Sequence, residues 1–181
     1  MSSVESVTPT AVVRRIFERL NDRDADAMSL FWSDDVAEVW PVVGRLDGKG
    51  AVRDYFVAIF AAMPDFHIDV ERMAAADETV FVHWHMTGTF TGAPLLGIDA
   101  TGRSIDLRGT DCFTIRDEKI AAAFIAYDGM AFPIQAGLLP PHGTRAGAVS
   151  WSAAEWRGPG PVPWPASARP ESRGRLPLWS G

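Results

Sequence analysis

Hydrophobic and polar positions alternate along this chain with two different periods, and the change of period marks its main division. Val12, Val13, Ile16, Phe17 and Leu20 recur at helical spacing behind Thr8 and Pro9, a capping residue followed by proline at the first helical position. Asn21 to Asp24 interrupt this stripe, and Asp24 is placed to cap a second short helix carrying Ala27, Leu30 and Phe31. The segment DDVAEVW then turns to period two around Val36 and Trp40. A third helical stripe, Val52, Tyr55, Phe56, Ile59 and Phe60, follows Gly50 and stops at Met63 and Pro64, where proline withholds a donor and restricts its predecessor.

Beyond Pro64 the pattern is that of strands, at about 66–75, 79–90, 103–115 and 119–128. A three-residue loop at Ala76, Asp77 and Glu78 sets Ala75 against Thr79. That register puts Phe66, Ile68 and Val70 on one face with Val80, Val82, Trp84 and Met86, and pairs Glu71 with His83 and Asp69 with His85 on the other. A second hairpin, with Asp117 and Glu118 at its tip, sets Ile115 against Ile120, Asp111 against Phe124 and Leu107 against Asp128. Asp111 and Asp128 then share the apolar face with Phe113, Phe124 and Ile120. Their four-residue offset at ~3.3 Å each separates the backbones by roughly 13 Å, too far for two carboxyls to share a proton. The expected fold is α+β, with three N-terminal helices covering one face of a strongly bent antiparallel sheet and a pocket between the layers.

Residues 1–142 form the expected domain, and 143–181 a Pro/Gly-rich extension bearing Trp151, Trp156, Trp164 and Trp179 that reads as extended or disordered. Charge divides along the same line. The domain holds 12 basic against 21 acidic residues and the extension 5 against 2. An acidic domain repels phosphate backbones, and no zinc-finger, helix-turn-helix or RNA-binding spacing occurs, so nucleic acid is not an expected partner. Cys112 is the sole cysteine, no apolar run is long enough for a bilayer, and MSSVESVTPT lacks secretory character; these point to a cytoplasmic protein without membrane contact.

Asp128 closes the apolar run KIAAAFIAYD. A carboxylate desolvated at a cavity wall can exchange protons near neutral pH, whereas the same residue at a strand end can instead bond nearby backbone N–H groups. His83 and His85 share a face but lack a third ligand at metal-site spacing, so no metal is expected. Arg108 faces with Asp106, Thr110 and Cys112, away from Asp111, which disfavours an Asp-Arg-Asp epoxide-opening site. Cys112 has no specified base. The loop GTFTGAPLLGIDATGR lacks a phosphate-binding lysine or GxGxxG context, and is expected to turn at the sheet end and to gate the pocket through Phe90, Leu95 and Leu96.

Taken in order, DRDADAMSLFWSDDV, MPDFHIDV, GTFTGAPLLGIDATGRSI, GTDCFTIRDEKI and Asp128 followed by QAGLLP resemble the SnoaL-like polyketide cyclases of the nuclear transport factor 2-like superfamily, over residues 8 to 140. The resemblance implies a cone-shaped α+β barrel with a deep apolar pocket, no cofactor, a homodimer or homotetramer, and a small hydrophobic substrate. It places Asp128 on the family's acid/base aspartate, which starts ring closure by intramolecular aldol attack. Asp111 is the second catalytic candidate, and Trp40, Tyr55, Phe56, Trp84, Phe90, Phe113 and Phe124 are the expected pocket residues. Ala122, Ala123 and Phe124 depart from a polar Glu-His-Trp-like triplet, and Phe90 stands where the family often has His. The alternatives are a ketosteroid-type isomerase, with Tyr55, Trp40 or protonated Asp111 as enolate donor, a dehydratase, or a non-catalytic binder of hydrophobic ligands.

Overall fold

The structure is a computed structural model, and it describes residues 8–140. The expectations for the 143–181 extension and its four tryptophans lie outside the described residues.

Helix α1, Pro9–Asp22, begins where Thr8 accepts a hydrogen bond from the Ala11 amide and ends at Arg23, whose φ of 55° turns the chain out of the helix. Its stripe of Val12, Val13, Ile16, Phe17 and Leu20 is buried, each large side chain contributing ~1.5–3 kcal/mol of transfer free energy. The short α2, Ala25–Ser29, is capped by the Asp24 carboxylate on the Ala27 amide at 2.9 Å. Helix α3, Lys49–Ala62, buries Val52, Phe56, Ile59, Phe60 and Ala62 and stops before Met63-Pro64. A single turn of helix, α4, Ala131–Gln135, follows the last strand.

Six strands make one sheet: β1 Trp32–Trp40, β2 Gly44–Asp47, β3 His67–Ala76, β4 Thr79–Thr89, β5 Ser104–Arg116 and β6 Lys119–Tyr127, in the order β2-β1-β6-β5-β4-β3. This is an α+β fold, but the sheet is mixed where an antiparallel one was expected, because β1 runs parallel to β6. The long connection between β1 and β6, which runs through β2, α3 and strands β3 to β5, supplies the crossover that a parallel pair needs. Strand β2, a four-residue edge strand, had no distinct signal in the sequence.

Two bulges decide which side chains face the helices. In the first hairpin the turn is two residues, Asp77 and Glu78, and Ala76 opposes Thr79. An extra residue at Glu71 restores the expected pairing of Asp69 with His85 and Ile68 with Met86. In the second hairpin Ile115 opposes Ile120 as expected, but β6 carries one extra residue before Ala122, so Cys112 pairs with Phe124 and Asp111 with Ile125. A one-residue slip exchanges the faces of everything beyond it. Ala123, Ile125 and Tyr127 therefore turn inward, and Phe124, Ala126 and Asp128 turn out.

Side-chain clamps hold helices and loops against the sheet. The Asn21 amide donates to the Ile68 carbonyl at 2.9 Å and accepts from the Ile68 N–H at 2.8 Å, acting as a short surrogate strand on the edge of β3. The glycine-rich loop after β4 ties back to α3 through Gly92 N–H to Ala62 O, 2.9 Å, and Ala93 N–H to Ala61 O, 2.8 Å. Any side chain at Gly92 would collide with the Ala61 carbonyl, at 2.0 Å from an ideal Cβ.

Candidate active site

Between the helices and the inner sheet face lies a pocket with an empty volume of about 730 Å³, its open mouth included. Trp40 from β1, Tyr55 and Phe56 from α3, Trp84 from β4 and Tyr127 from β6 form much of its wall, with Leu95 and Leu96 from the glycine-rich loop at its edge. Trp40 packs edge-on against Tyr55 and Phe56, at centroid distances of 5.0 and 5.6 Å, which fixes the aromatic wall.

Among the described residues Asp111 is the only carboxyl of this lining, and no basic residue joins it. Burial pushes its pKa from 3.8 up to about 7, opposed by the nearby Trp84 indole. Asp111 is 8% exposed, and neither its Oδ1 nor Trp84 Nε1 completes a hydrogen bond of normal geometry within the protein. The Tyr127 phenol is pushed up to about 12, mainly by burial and then by the Asp111 charge. Burial also drives Tyr55 upward, with Tyr127 adding to it. Both phenols therefore remain donors at neutral pH.

A smaller recess, with an empty volume of about 300 Å³ that includes its opening, adjoins the main pocket and shares Leu20, Trp40, Phe56, Asp111 and Ile125 with it. Glu38, 2% exposed, lines it and accepts a hydrogen bond from Trp40 Nε1 at 3.0 Å. Burial raises the Glu38 pKa to about 8; the Trp40 bond opposes that, the Asp111 charge adds to it, and the Trp32 indole opposes it slightly. Trp32 Nε1, also in this region, lacks a normal hydrogen bond.

The expected site residues divide clearly. Asp111, Trp40, Tyr55, Phe56 and Trp84 line the main pocket, and Phe113 lines the inner recess. Phe124, 41% exposed, is on the outer face, and Phe90 is fully buried behind the pocket against Phe132. Leu95 and Leu96 line the pocket as expected of the loop, without Phe90. Asp128 is exposed and lies outside the pocket lining; its Oδ1 accepts from the Met130 amide at 2.9 Å. The β6 bulge is the cause, since it exchanges Asp128 for Tyr127 at the inner face. Glu38 and Tyr127 were not anticipated. Glu38 had a signal: it shares the parity of Val36 and Trp40, so the alternation that buries those residues buries it too.

On the outer face, His83 Nε2 meets Glu71 Oε2 at 3.2 Å, the expected side-chain pair, although the bulge sets Arg72 and not Glu71 opposite His83 in the ladder, whereas His85 Nε2 takes Asp106 Oδ1 at 3.0 Å instead of Asp69. Arg108 pairs with Glu71 there, away from the pocket. Among the described residues no three His, Cys, Asp or Glu side chains gather as a metal site, and no helix is long and apolar enough to cross a membrane.

The sequence matches the SnoaL-like polyketide cyclase family over residues 10–135. No curated protein matches it. Among solved structures, a candidate SnoaL-like polyketide cyclase from Jannaschia sp. CCS1 aligns with 78% of this chain and 99% of its own, at 19% identity and a TM-score of 0.67. A SnoaL-like polyketide cyclase from Agrobacterium tumefaciens str. C58 aligns over 72% and 98%, at 21% identity and 0.59. A hypothetical protein with a ketosteroid isomerase-like fold from Catenulispora acidiphila DSM 44928, in complex with trimethylamine, aligns over 72% and 95%, at 16% identity and 0.60. These identities establish a shared fold and no shared substrate. Because the family match spans residues 10–135, most of the described domain, the chain belongs to the SnoaL-like polyketide cyclase family.

Proposed function

We propose that this protein is an acid/base enzyme acting on a hydrophobic carbonyl metabolite, with Asp111 as the proton-transferring group and aldol-type ring closure as the reaction. The observation that carries this reading is a single carboxyl among the described lining residues, buried, raised toward neutrality and with its Oδ1 unpartnered within the protein, among apolar and aromatic side chains. Ionised Asp111 removes a proton from carbon next to a carbonyl. The electron pair moves into the enolate, whose oxygen is stabilised by an N–H or O–H donor of the wall: Trp84, Tyr55 or Tyr127. The enolate carbon then attacks a second carbonyl of the same molecule, forming the ring bond, and protonated Asp111 returns its proton to the new alkoxide. Ring closure is thus a net isomerisation that regenerates the carboxylate. Where the substrate has no second carbonyl, the same groups would return the proton to another carbon, which is the isomerase alternative.

Proton abstraction is common to both reactions, so it is the step to test. β-Tetralone, a compact aryl ketone, incubated with the protein in D2O should exchange its α-protons faster than in buffer, as followed by proton NMR. Asp111→Asn keeps size and loses the titrating group; it should reduce the enzyme-dependent exchange at least ~10²-fold with little change in ketone binding. Ketone binding without any enzyme-dependent exchange would turn the assignment to a non-catalytic binding protein.

A further inference from the structure

We propose that Glu38 is a second catalytic residue of this site, a proton donor in the recess adjoining the main pocket that hydrogen-bonds the substrate carbonyl oxygen while Asp111 works on the adjacent carbon. This rests on the acid/base reading of Asp111 above and adds to it a donor and an orientation for the substrate.

The geometry comes from the sheet. Glu38 on β1 is in register with Ala123 on β6, and Ala123 with Phe113 on β5. Asp111 lies two residues along β5 from Phe113, on the same inner face. At this level β6 offers only the Ala123 methyl, which leaves room above it for the recess that both carboxyls line. Asp111 belongs to both the recess and the main pocket, so a ligand in the pocket that extends past it meets Glu38 next.

The surroundings of Glu38 favour its neutral form. Among the described residues the other side chains lining the recess are apolar or aromatic, and no Lys, Arg or His faces Glu38 there. The polar groups near it are the Trp40 indole, whose hydrogen bond favours its ionisation, Asp111, whose negative charge opposes it, and the Trp32 indole, which favours it less. Tyr55 and Tyr127 stand in the outer pocket as neutral phenols. Burial favours the neutral form of both acids and the Asp111 charge disfavours a second ionisation at Glu38, so we assign the retained proton to Glu38 and the base role to Asp111. In the reaction, the C–H proton goes to Asp111 and the Glu38 proton goes to the developing enolate oxygen. Enol, neutral Asp111 and ionised Glu38 result, and reversal of the second transfer restores Glu38 when the carbon attacks.

The test uses β-tetralone labelled with 13C at its carbonyl, bound to the full chain, with the exchange rate measured in parallel. A donor on the oxygen moves the carbonyl resonance downfield. The shift should be present in wild type below about pH 8, persist in Asp111→Asn, and be lost in Glu38→Leu, which cannot donate. Glu38→Gln still donates but cannot titrate: it should retain part of the shift, slow exchange by at least ~10-fold and abolish the alkaline fall of the pH–rate profile. A purely structural Glu38 would move neither the carbonyl resonance nor that limb. A carbonyl shift unchanged in Glu38→Leu, with normal wild-type exchange, overturns the role of Glu38 and leaves Asp111 as base. A Glu38-dependent shift without exchange by wild type overturns the Asp111 reading instead. A ketone that does not bind overturns both.

Discussion

Gly109 stands opposite Trp84 in the ladder of β4 and β5, and the indole occupies the space that a side chain at 109 would need: an ideal Cβ would lie 2.3 Å from Trp84 Cζ2 and 2.6 Å from Cη2. On its other side Gly109 pairs with Tyr127, and the Trp84 and Tyr127 rings approach to 6.2 Å between centroids. The missing side chain therefore lets two aromatics from flanking strands build one wall of the pocket over β5. Gly109→Ala should cost ~1–3 kcal/mol by overpacking, read from urea unfolding. It should also shift the Trp84 indole N–H resonance and weaken ketone binding. An unchanged indole resonance would mean that the wall does not depend on Gly109.

The two buried carboxyls make stability depend on pH in a direction opposite to the usual acid denaturation. In the unfolded chain Asp111 and Glu38 ionise near their ordinary values of 3.8 and 4.5, whereas in the fold they hold their protons to about 7 and 8. Between those limits the native state binds more protons, so unfolding free energy falls as pH rises. Their contribution is intact below about pH 4 and is lost through pH 7 for Asp111 and pH 8 for Glu38. Relative to wild type, Asp111→Asn should be more stable at pH 8 than at pH 5, by a few kcal/mol at most, since a neutral amide is spared the cost of ionising in a dry site. Parallel wild-type and variant stability curves across this range would contradict the buried-acid description.

The outer sheet face carries the test of self-association, which the family resemblance implies and which stands as a proposal. Phe81 pairs with Cys112 and Cys112 with Phe124, so one row across three strands presents two large aromatic side chains, 48% and 41% exposed. Phe81→Glu should convert a wild-type dimer or tetramer to monomer in sedimentation velocity while leaving the ketone site untouched. A monomeric wild type at micromolar concentration would remove the proposal.

Legibility from the sequence followed the strength of local signals. The capped stripe at Val12 to Leu20 and the proline stop after α3 are read almost residue by residue, because caps and proline act within one turn. Hairpin positions were legible from their turns, but faces were not, since a bulge adds one residue with no distinctive side chain to announce it. In β3 the bulge at Glu71 offset a misjudged turn length, and the pairing of Asp69 with His85 survived. In β6 nothing compensated: the extra residue falls in a run of alanines, where apolarity on both faces hides the phase, and it carried Phe124 and Asp128 outward. Asp111 lay on the unbulged partner strand and kept its face.

Asp128, placed outside by that bulge, should behave as a turn residue. Its carboxylate accepts from the Met130 amide two residues on, the Asx-type bond that aspartate makes where a strand leads into a turn, and its backbone carbonyl accepts from the Ala131 N–H at 2.9 Å, opening α4. Helix α4 carries Phe132 into the pocket wall, and Gln135 bonds both the N–H and the carbonyl of Asp106 at 2.7 Å, so the turn helps to position that end of the cavity. Asp128→Asn retains an acceptor oxygen and should leave both unfolding and ketone exchange within about threefold of wild type. Asp128→Ala removes the bond, costing ~1 kcal/mol, with a modest loss of ketone affinity and no change in the pH–rate profile. The profile is the deciding readout, because a group that turns the chain alters its level, whereas a base alters its shape. A drop of ~10²-fold in Asp128→Asn, accompanied by loss of the acidic limb, would return the proton-transfer role to Asp128 and show that the turn opens inward when ligand binds.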